Sequence, residues 1–239
     1  VLSITGPKFM NWSRGIGGGG AIDLVIHLRQ RGFMEALEWL EQNFPALALP
    51  GCSEPEIRRP FQRPIPSLEK TWQVQDYLIL QRKLPARLIL RLIDAGQLYA
   101  DARANAVFLL LRENNHPVGA ELRGTTDHPW RGMATGSQKD RGCFAVGPAA
   151  SRTLILCESA IDAISCCALF SQALCVSTAG ARPNPRWLPQ LIRQGMEIYC
   201  GFDADPVGDT MAREMIRLHP CIKRLRPGKK DWNDVLRSS

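Results

Sequence analysis

The sequence predicts an α/β fold: a parallel-sheet, Rossmann-like domain at the C-terminal end, a small basic α+β subdomain before it, and a helical N-terminal piece. Three observations predict it. From residue 152 on, apolar runs alternate with single amphipathic segments: "TLILC", "SAIDAISCCALF", "ALCVST", "NPRWLPQLIRQG", "EIYCGF", "GDTMAREMIRLH", "CIKRLRP". Strands alternating with helices imply right-handed crossovers and a parallel sheet. Upstream, "NAVFLLLRE" and "PVGAELRGT" flank the turn signal "NNH", a β-hairpin pattern. Near the start, "AIDLVIHLRQRGFMEALEWLEQNF" carries apolar residues at helical spacing on either side of Gly32.

Taken in order, residues 1–50 form the first piece. "VLSITG" alternates enough for a strand, and "SRGIGGGG" reads as a flexible loop leading into the first helix. Gly15, Gly17 and Gly20 satisfy G-x-G-x-x-G literally. The strand before them is poor, and a four-glycine run fits many glycine patterns, so no dinucleotide site is expected. Residues 51–66 are rich in Pro and charge and read as an extended linker. Residues 67–150 form the basic subdomain. It opens with two helical segments in "VQDYLILQRKLPARLILRLIDAG"; Pro85 suits the first turn of the second, and Gly96 its end. The hairpin follows, and then "WRGMATGSQKDRGCFAVG", a basic loop that closes in a short strand. Residues 151–239 form the parallel-sheet domain.

Composition bounds the function. The 239 residues are 45% apolar, ample for a soluble core, and the formal charge of +7 leans toward polyanionic partners. No uncharged apolar run reaches about 18 residues, so no membrane helix is expected. No secretory start is present either. The chain begins at Val1, as a fragment or a processed chain does. The eight cysteines form no C-x-x-C pair, and several sit inside apolar runs. That pattern argues for free thiols in a reducing, cytoplasmic compartment. No Cys lies in residues 1–51, and His27 alone offers a soft ligand there. No zinc is expected.

The chemistry is carried by acids. A parallel sheet places ligands at the carboxyl ends of its strands. Glu158 follows "TLILC", Asp203 and Asp205 follow "EIYCGF", and Asp231 follows the last strand and its "PGKK" turn, with Asn233 and Asp234 beyond. Each could serve as a turn former or helix N-cap. Gathered at one rim, they suit Mg²⁺ or Mn²⁺, hard ions that take oxygen ligands and offset carboxylate repulsion.

Here the sequence resembles a known family. "LILCESAIDAIS" followed by "GFDADPVGDTMAREM" is similar to the TOPRIM domain of DnaG-type primases, topoisomerases and certain nucleases. Glu158, Asp203 and Asp205 fall on that family's acidic pattern, which implies catalytic and metal-binding roles for them. "GKKDWNDVL" resembles the later acidic stretch of primases, with Asp231 as an additional metal ligand and Asn233 where a second aspartate is more usual. "ADARANAVFLLLRENNHPVGAELRG" is similar to the basic subdomain of bacterial primases, with Arg103 and Arg123 on basic positions. Arg131 lies nearest the place of a lysine in the next primase loop, beside Lys139 and Arg141. These five cations are the candidate nucleic-acid contacts. The first 50 residues resemble the end of a zinc-binding domain without its ligands, and the whole layout resembles a TOPRIM family of mobile elements.

The resemblance implies a metal-dependent nucleotidyltransferase on single-stranded DNA, using nucleoside triphosphates in replication of a plasmid or mobile element. A helicase or relaxase is the protein partner it implies. The alternatives are a TOPRIM nuclease and a decayed, DNA-binding accessory. A topoisomerase is disfavoured, since Tyr77, Tyr99 and Tyr199 lack the setting of a nucleophile.

Overall fold

The computed structural model describes residues 1–6, 8–44, 60–126 and 130–239. These belong to two compact units, Val1–Ile57 and Arg58–Ser239. Among the described residues no helix is long and apolar enough to cross a membrane.

The first unit is a three-stranded antiparallel sheet, β1 (Leu2–Thr5), β2 (Lys8–Asn11) and β3 (Ile16–Gly19), followed by α1 (Gly20–Arg29) and α2 (Phe33–Asn43). The two helices lie where the periodicity places them, with Gly32 between. The glycine run is not the expected loop, because Ile16–Gly19 pairs with β2 along its whole length. The glycines permit this: a Cβ on Gly18 would sit 2.8 Å from the Phe9 ring, and one on Gly17 3.0 Å from the Phe9 carbonyl. His27 is occupied structurally, pairing with the Asn11 side chain at 2.9 Å and packing on Phe9.

The second unit holds both the basic subdomain and the parallel sheet. Of the expected linker, residues 51–59 lie outside the described residues. Residues 60–66 belong to the second unit rather than to a free connector. Gln62 donates to the Thr135 carbonyl, the Pro64 carbonyl accepts from the Tyr99 hydroxyl at 2.8 Å, and Pro66 bridges to Asp101. A Pro-rich segment lacks donors for a ladder but still offers carbonyls and ring faces, which the neighbouring strands use.

Next come α3 (Thr71–Asp76), which continues into a π-helical turn at Tyr77–Gln81, and α4 (Ala86–Asp94). Pro85 stands at the N-cap of α4. Gly96, at φ +65°, closes it: its N–H reaches the Ile93 carbonyl and the Gln97 N–H reaches that of Leu92. A four-stranded antiparallel sheet follows, in order β4 (Leu98–Ala100), β5 (Ala106–Leu111), β6 (Pro117–Arg123) and β7 (Arg131–Met133). The β5–β6 hairpin is the one the sequence predicts. The three-residue edge strands β4 and β7 are too short to show an alternating pattern and form by pairing with it.

The parallel sheet combines β8 (Phe144–Val146), β9 (Thr153–Cys157), β10 (Leu174–Ser177), β11 (Glu197–Cys200) and β12 (Ile222–Arg224), in order β12-β11-β9-β10-β8. Only β8 runs antiparallel. The helices α5 (Ala160–Leu169), α6 (Leu188–Arg193), α7 (Pro206–Leu218) and α8 (Trp232–Arg237) cover it. Alternate residues of the central strands face opposite layers. Ile155, Cys157 and Cys175 join a core shared with α5 and the upstream helices, with Phe108 packed edge-on against Phe144 at 5.5 Å. Leu154, Leu156, Val176, Ile198 and Cys200 join a second core under α6 and α7. Both faces are covered, which is why these strands read as continuous apolar runs. The connection from β9 to β10 lies on one face and those leaving β10 and β11 on the other. The sheet therefore reverses direction between β9 and β11, and a crevice opens there at the strand ends.

Candidate active site

The crevice is a cleft of about 520 Å³ at the carboxyl ends of β9 and β11, open to β6 and β7 on its other side. Glu158, Asp203, Asp205 and Asp231 line it, and so do Arg123, Arg131 and Lys139. Residues from both halves of the second unit thus build one site.

The acids are held by backbone geometry. Glu158 is the first residue beyond β9. Its Oε1 accepts the Asp203 N–H at 3.0 Å, and its carbonyl accepts the Gly180 N–H at 2.7 Å. Gly208 makes this approach possible: a Cβ there would sit 2.3 Å from the Asp203 carbonyl oxygen and 2.9 Å from Glu158 Oε1. Arg224, on β12, steadies the Asp203 turn from behind. Its guanidinium donates to the carbonyls of Phe202 at 2.8 Å and Asp203 at 3.1 Å, and to the Asp209 carboxylate at 2.9 Å. Asp205 is the N-cap of α7 and accepts the Gly208 N–H at 2.8 Å, with Pro206 in the first turn. Asp231 caps α8 in the same way through the Asp234 N–H at 2.7 Å. Capping uses one lone-pair direction of each carboxylate and leaves acceptor capacity toward the cleft.

Charge is concentrated at Asp203. Burial pushes its carboxyl up to about 8, and the neighbouring carboxylates of Asp162, Glu158, Asp231 and Asp205 push the same way. Its Oδ1 is shielded from solvent and has no hydrogen-bond partner among the described residues. An orphaned acceptor ringed by acids is a site that a divalent cation fits, since the ion supplies the missing partner and offsets the repulsion. Among the described residues no group of three or more His, Cys, Asp or Glu is arranged to hold a metal ion. Mg²⁺ and Mn²⁺ keep several waters and bind through one or two carboxylates plus substrate phosphates.

Two acids in the cleft escaped the sequence reading. Asp162, buried in the first turn of α5, accepts from the Ser159 hydroxyl at 2.6 Å and the Asn233 N–H at 3.3 Å, and burial pushes it up to about 6. Its signal was its place three residues after the N-cap Ser159, in "ESAID", where an acid suits a helix N-terminus. Glu121, on β6, accepts from the Ser177 hydroxyl and the Ala160 N–H, and burial pushes it up to about 7. Nothing in the local pattern of a hairpin strand marks it.

Asn233, where the resemblance makes a second aspartate more usual, is held by the core. Its side chain is buried and is not part of the cleft lining; its amide donates to the Arg82 carbonyl at 2.8 Å and to Ser165 Oγ at 3.1 Å, and its Oδ1 accepts from the Arg82 guanidinium at 3.5 Å. A carboxylate there would lack both donors.

The cations divide. Arg123 on β6 stands directly opposite Arg131 on β7 at the edge of the cleft. Burial lowers the Arg123 pKa, and Arg82 and Arg131 lower it further. Like charges opposite each other on paired strands are destabilising unless an anion lies between them. Lys139 donates to the Ala179 carbonyl at 2.8 Å beside the same cleft. Arg103 lies on the exposed turn between β4 and β5, off the cleft lining. Arg141 bonds Gln138 and lines a separate cavity with Arg112 and Trp187.

Comparison with known proteins finds family matches in both halves of the second unit. Residues 76–148 match the family described as "Protein of unknown function (DUF3991)", and residues 155–236 match the family described as "Toprim-like". A "65 kDa protein" of Zymomonas mobilis subsp. mobilis is 28% identical over 98% of this chain, which spans 45% of that relative's length. Among solved structures, the primase fragment of the bacteriophage T7 primase-helicase protein superposes with a TM-score of 0.52 at 15% identity, over 66% of this chain and 68% of that one. The E. coli primase catalytic core gives 0.48 at 15% identity, over 70% and 69%. The chain therefore carries a Toprim-like domain at residues 155–236, in a fold that it shares with the phage primase fragment.

Proposed function

We propose that the chain is a primase-like nucleotidyltransferase that joins nucleotides along single-stranded DNA in the replication of a plasmid or mobile element. The observation that carries this reading is the meeting of Glu158 with Asp203 in a cleft whose opposite wall is the Arg123–Arg131 pair. Such a cleft holds cation-binding and phosphate-binding groups face to face. In the proposed reaction a 3′-hydroxyl oxygen bonds to the α-phosphorus of a nucleoside triphosphate, the bond to pyrophosphate breaks, and the hydroxyl proton passes to a carboxylate. Asp203 and Asp205, with Asp231 as an additional ligand, would hold a divalent cation, which would supply charge neutralisation for the triphosphate and the pyrophosphate. Glu158 orients the Asp203 turn through its N–H bond and is the carboxylate placed to ligate or to take the proton. Arg123 and Arg131 engage phosphate oxygens with their planar forks, and Lys139 adds a point charge. A helicase or relaxase is the proposed protein partner.

Incubation with Mg²⁺ or Mn²⁺, single-stranded DNA and labelled nucleotides tests the reading. Extended oligonucleotides support it. Shortened DNA points instead to a nuclease built on the same acids, and DNA retention without chemistry points to a binding accessory.

A further inference from the structure

Among the described residues, Glu121 is the acidic side chain that the upstream sheet contributes to the cleft lining. It lies on β6, two residues before Arg123, so both side chains leave the same face of that strand. Its carboxylate is fully engaged. Oε2 accepts the Ala160 N–H at 3.1 Å, one of the donors that the first turn of α5 leaves without an intrahelical partner. Oε1 accepts the Ser177 hydroxyl at 2.5 Å. Ser177, at the end of β10, lies 3.4 Å from the Glu158 carbonyl and accepts the Ala179 N–H at 3.0 Å. One carboxylate therefore bonds both the first turn of the helix that follows Glu158 and the end of the neighbouring strand β10, from the strand that carries Arg123.

We infer that Glu121 is a positioning residue: it clamps the Glu158 loop to β6 and so sets the distance between the acid rim and the Arg123–Arg131 wall. This rests on the proposed nucleotidyl transfer for its catalytic meaning, but not for its structural content. Removing the Glu121 side chain would leave the buried Ala160 N–H and the Ser177 hydroxyl without this partner, which costs more than a solvent-exposed bond would. A clamp of this sort acts by keeping the reacting groups in register, which a displacement of about 1 Å upsets.

The test compares Glu121→Ala, Glu121→Gln and Ser177→Ala with the parent chain by amide hydrogen exchange and by single-stranded DNA extension. Glutamine can accept from Ala160 and donate to Ser177, so it preserves both arms. In Glu121→Ala the amides of Ala160 and Asp203 should exchange about tenfold faster or more, the equivalent of one lost buried hydrogen bond. The amides of α6 and α7 should not change, and Glu121→Gln should restore protection. In the extension assay Glu121→Ala should lower kcat about 10²-fold with KM for nucleotide little changed. Unchanged exchange at those two amides overturns the clamp, as does acceleration throughout the unit or a glutamine that fails to restore protection. If Glu121→Ala does not fold, Ser177→Ala carries the same comparison through the loss of one arm. A parent chain that makes no product removes the nucleotidyl-transfer reading alone, because the exchange comparison still decides the clamp.

Discussion

Glu158 and Asp203 lie 45 residues apart in sequence, yet the Glu158 carboxylate accepts the Asp203 N–H at 3.0 Å across the ends of adjacent parallel strands. The bond fixes the turn that presents the Asp203 carboxyl to the cleft, where its Oδ1 has no partner among the described residues.

Asp203 should trade stability for function. Replacing it with Asn removes one charge from a crowded group of acids while keeping its shape. Without divalent ions at pH 8, Asp203→Asn should melt above the parent, by about 2–4 °C per kcal/mol gained. Mg²⁺ or Mn²⁺ should raise the parent Tm and leave the variant unmoved, and the variant should not extend oligonucleotides. Thermal melts with EDTA and with each metal check this. A parent Tm indifferent to both ions would remove the cation assignment.

Gly208→Ala tests the close approach directly. The added Cβ meets the Asp203 carbonyl oxygen at 2.3 Å and Glu158 Oε1 at 2.9 Å, so the two acids must separate. The expected cost is about 1–3 kcal/mol of stability from overpacking. Turnover should fall about 10²-fold from misplaced groups. Denaturant titration and single-turnover kinetics measure the two effects.

The cationic wall should register in the salt dependence of single-stranded DNA binding. Arg123→Ala or Arg131→Ala should each reduce the slope of log K against log salt by about 0.7, the value for one phosphate contact on a single strand. Arg103→Ala, off the cleft, should change it less. Fluorescence anisotropy across a salt series distinguishes them.

Glu121 should make stability fall with rising pH. Its folded-state value is about 7 against an ordinary 4.5, with burial as the main cause. A group raised in the folded state contributes its full stability below the unfolded value, and that contribution is lost as pH rises through the folded value. Between about pH 4.5 and pH 7 the loss is on the order of 3 kcal/mol. Glu121→Gln carries no such titration, so its stability should decline less between pH 5 and pH 8. Urea melts at a series of pH values read the difference, and parallel slopes would contradict the assignment.

Asn233→Asp should be destabilising by about 1–3 kcal/mol, because the Arg82 carbonyl and Ser165 Oγ lose their amide donors. It should not strengthen Mg²⁺ binding, since Asn233 is not among the residues that line the cleft. Calorimetric titration of Mg²⁺ checks the second half.

The sequence by itself determined the parallel sheet, because strands buried on both faces must be apolar throughout and helices covering them must be amphipathic. It also determined where Glu158, Asp203, Asp205 and Asp231 stand, since each follows the carboxyl end of a strand whose direction the crossover rule sets. The β5–β6 hairpin was legible for the same local reason, an alternating run broken by turn residues. Only the tertiary structure decided what depends on distant pairing. Ile16–Gly19 became a strand because bare glycines let it lie against Phe9, and β7 became a strand because β6 was there to pair with it. The amide of Asn233 turned inward because Arg82 and Ser165 offered it acceptors. Glu121 entered the site because β6 carries it to the first turn of α5, so that a side chain with no local signal meets Ala160 and Ser177 beside the Glu158 turn.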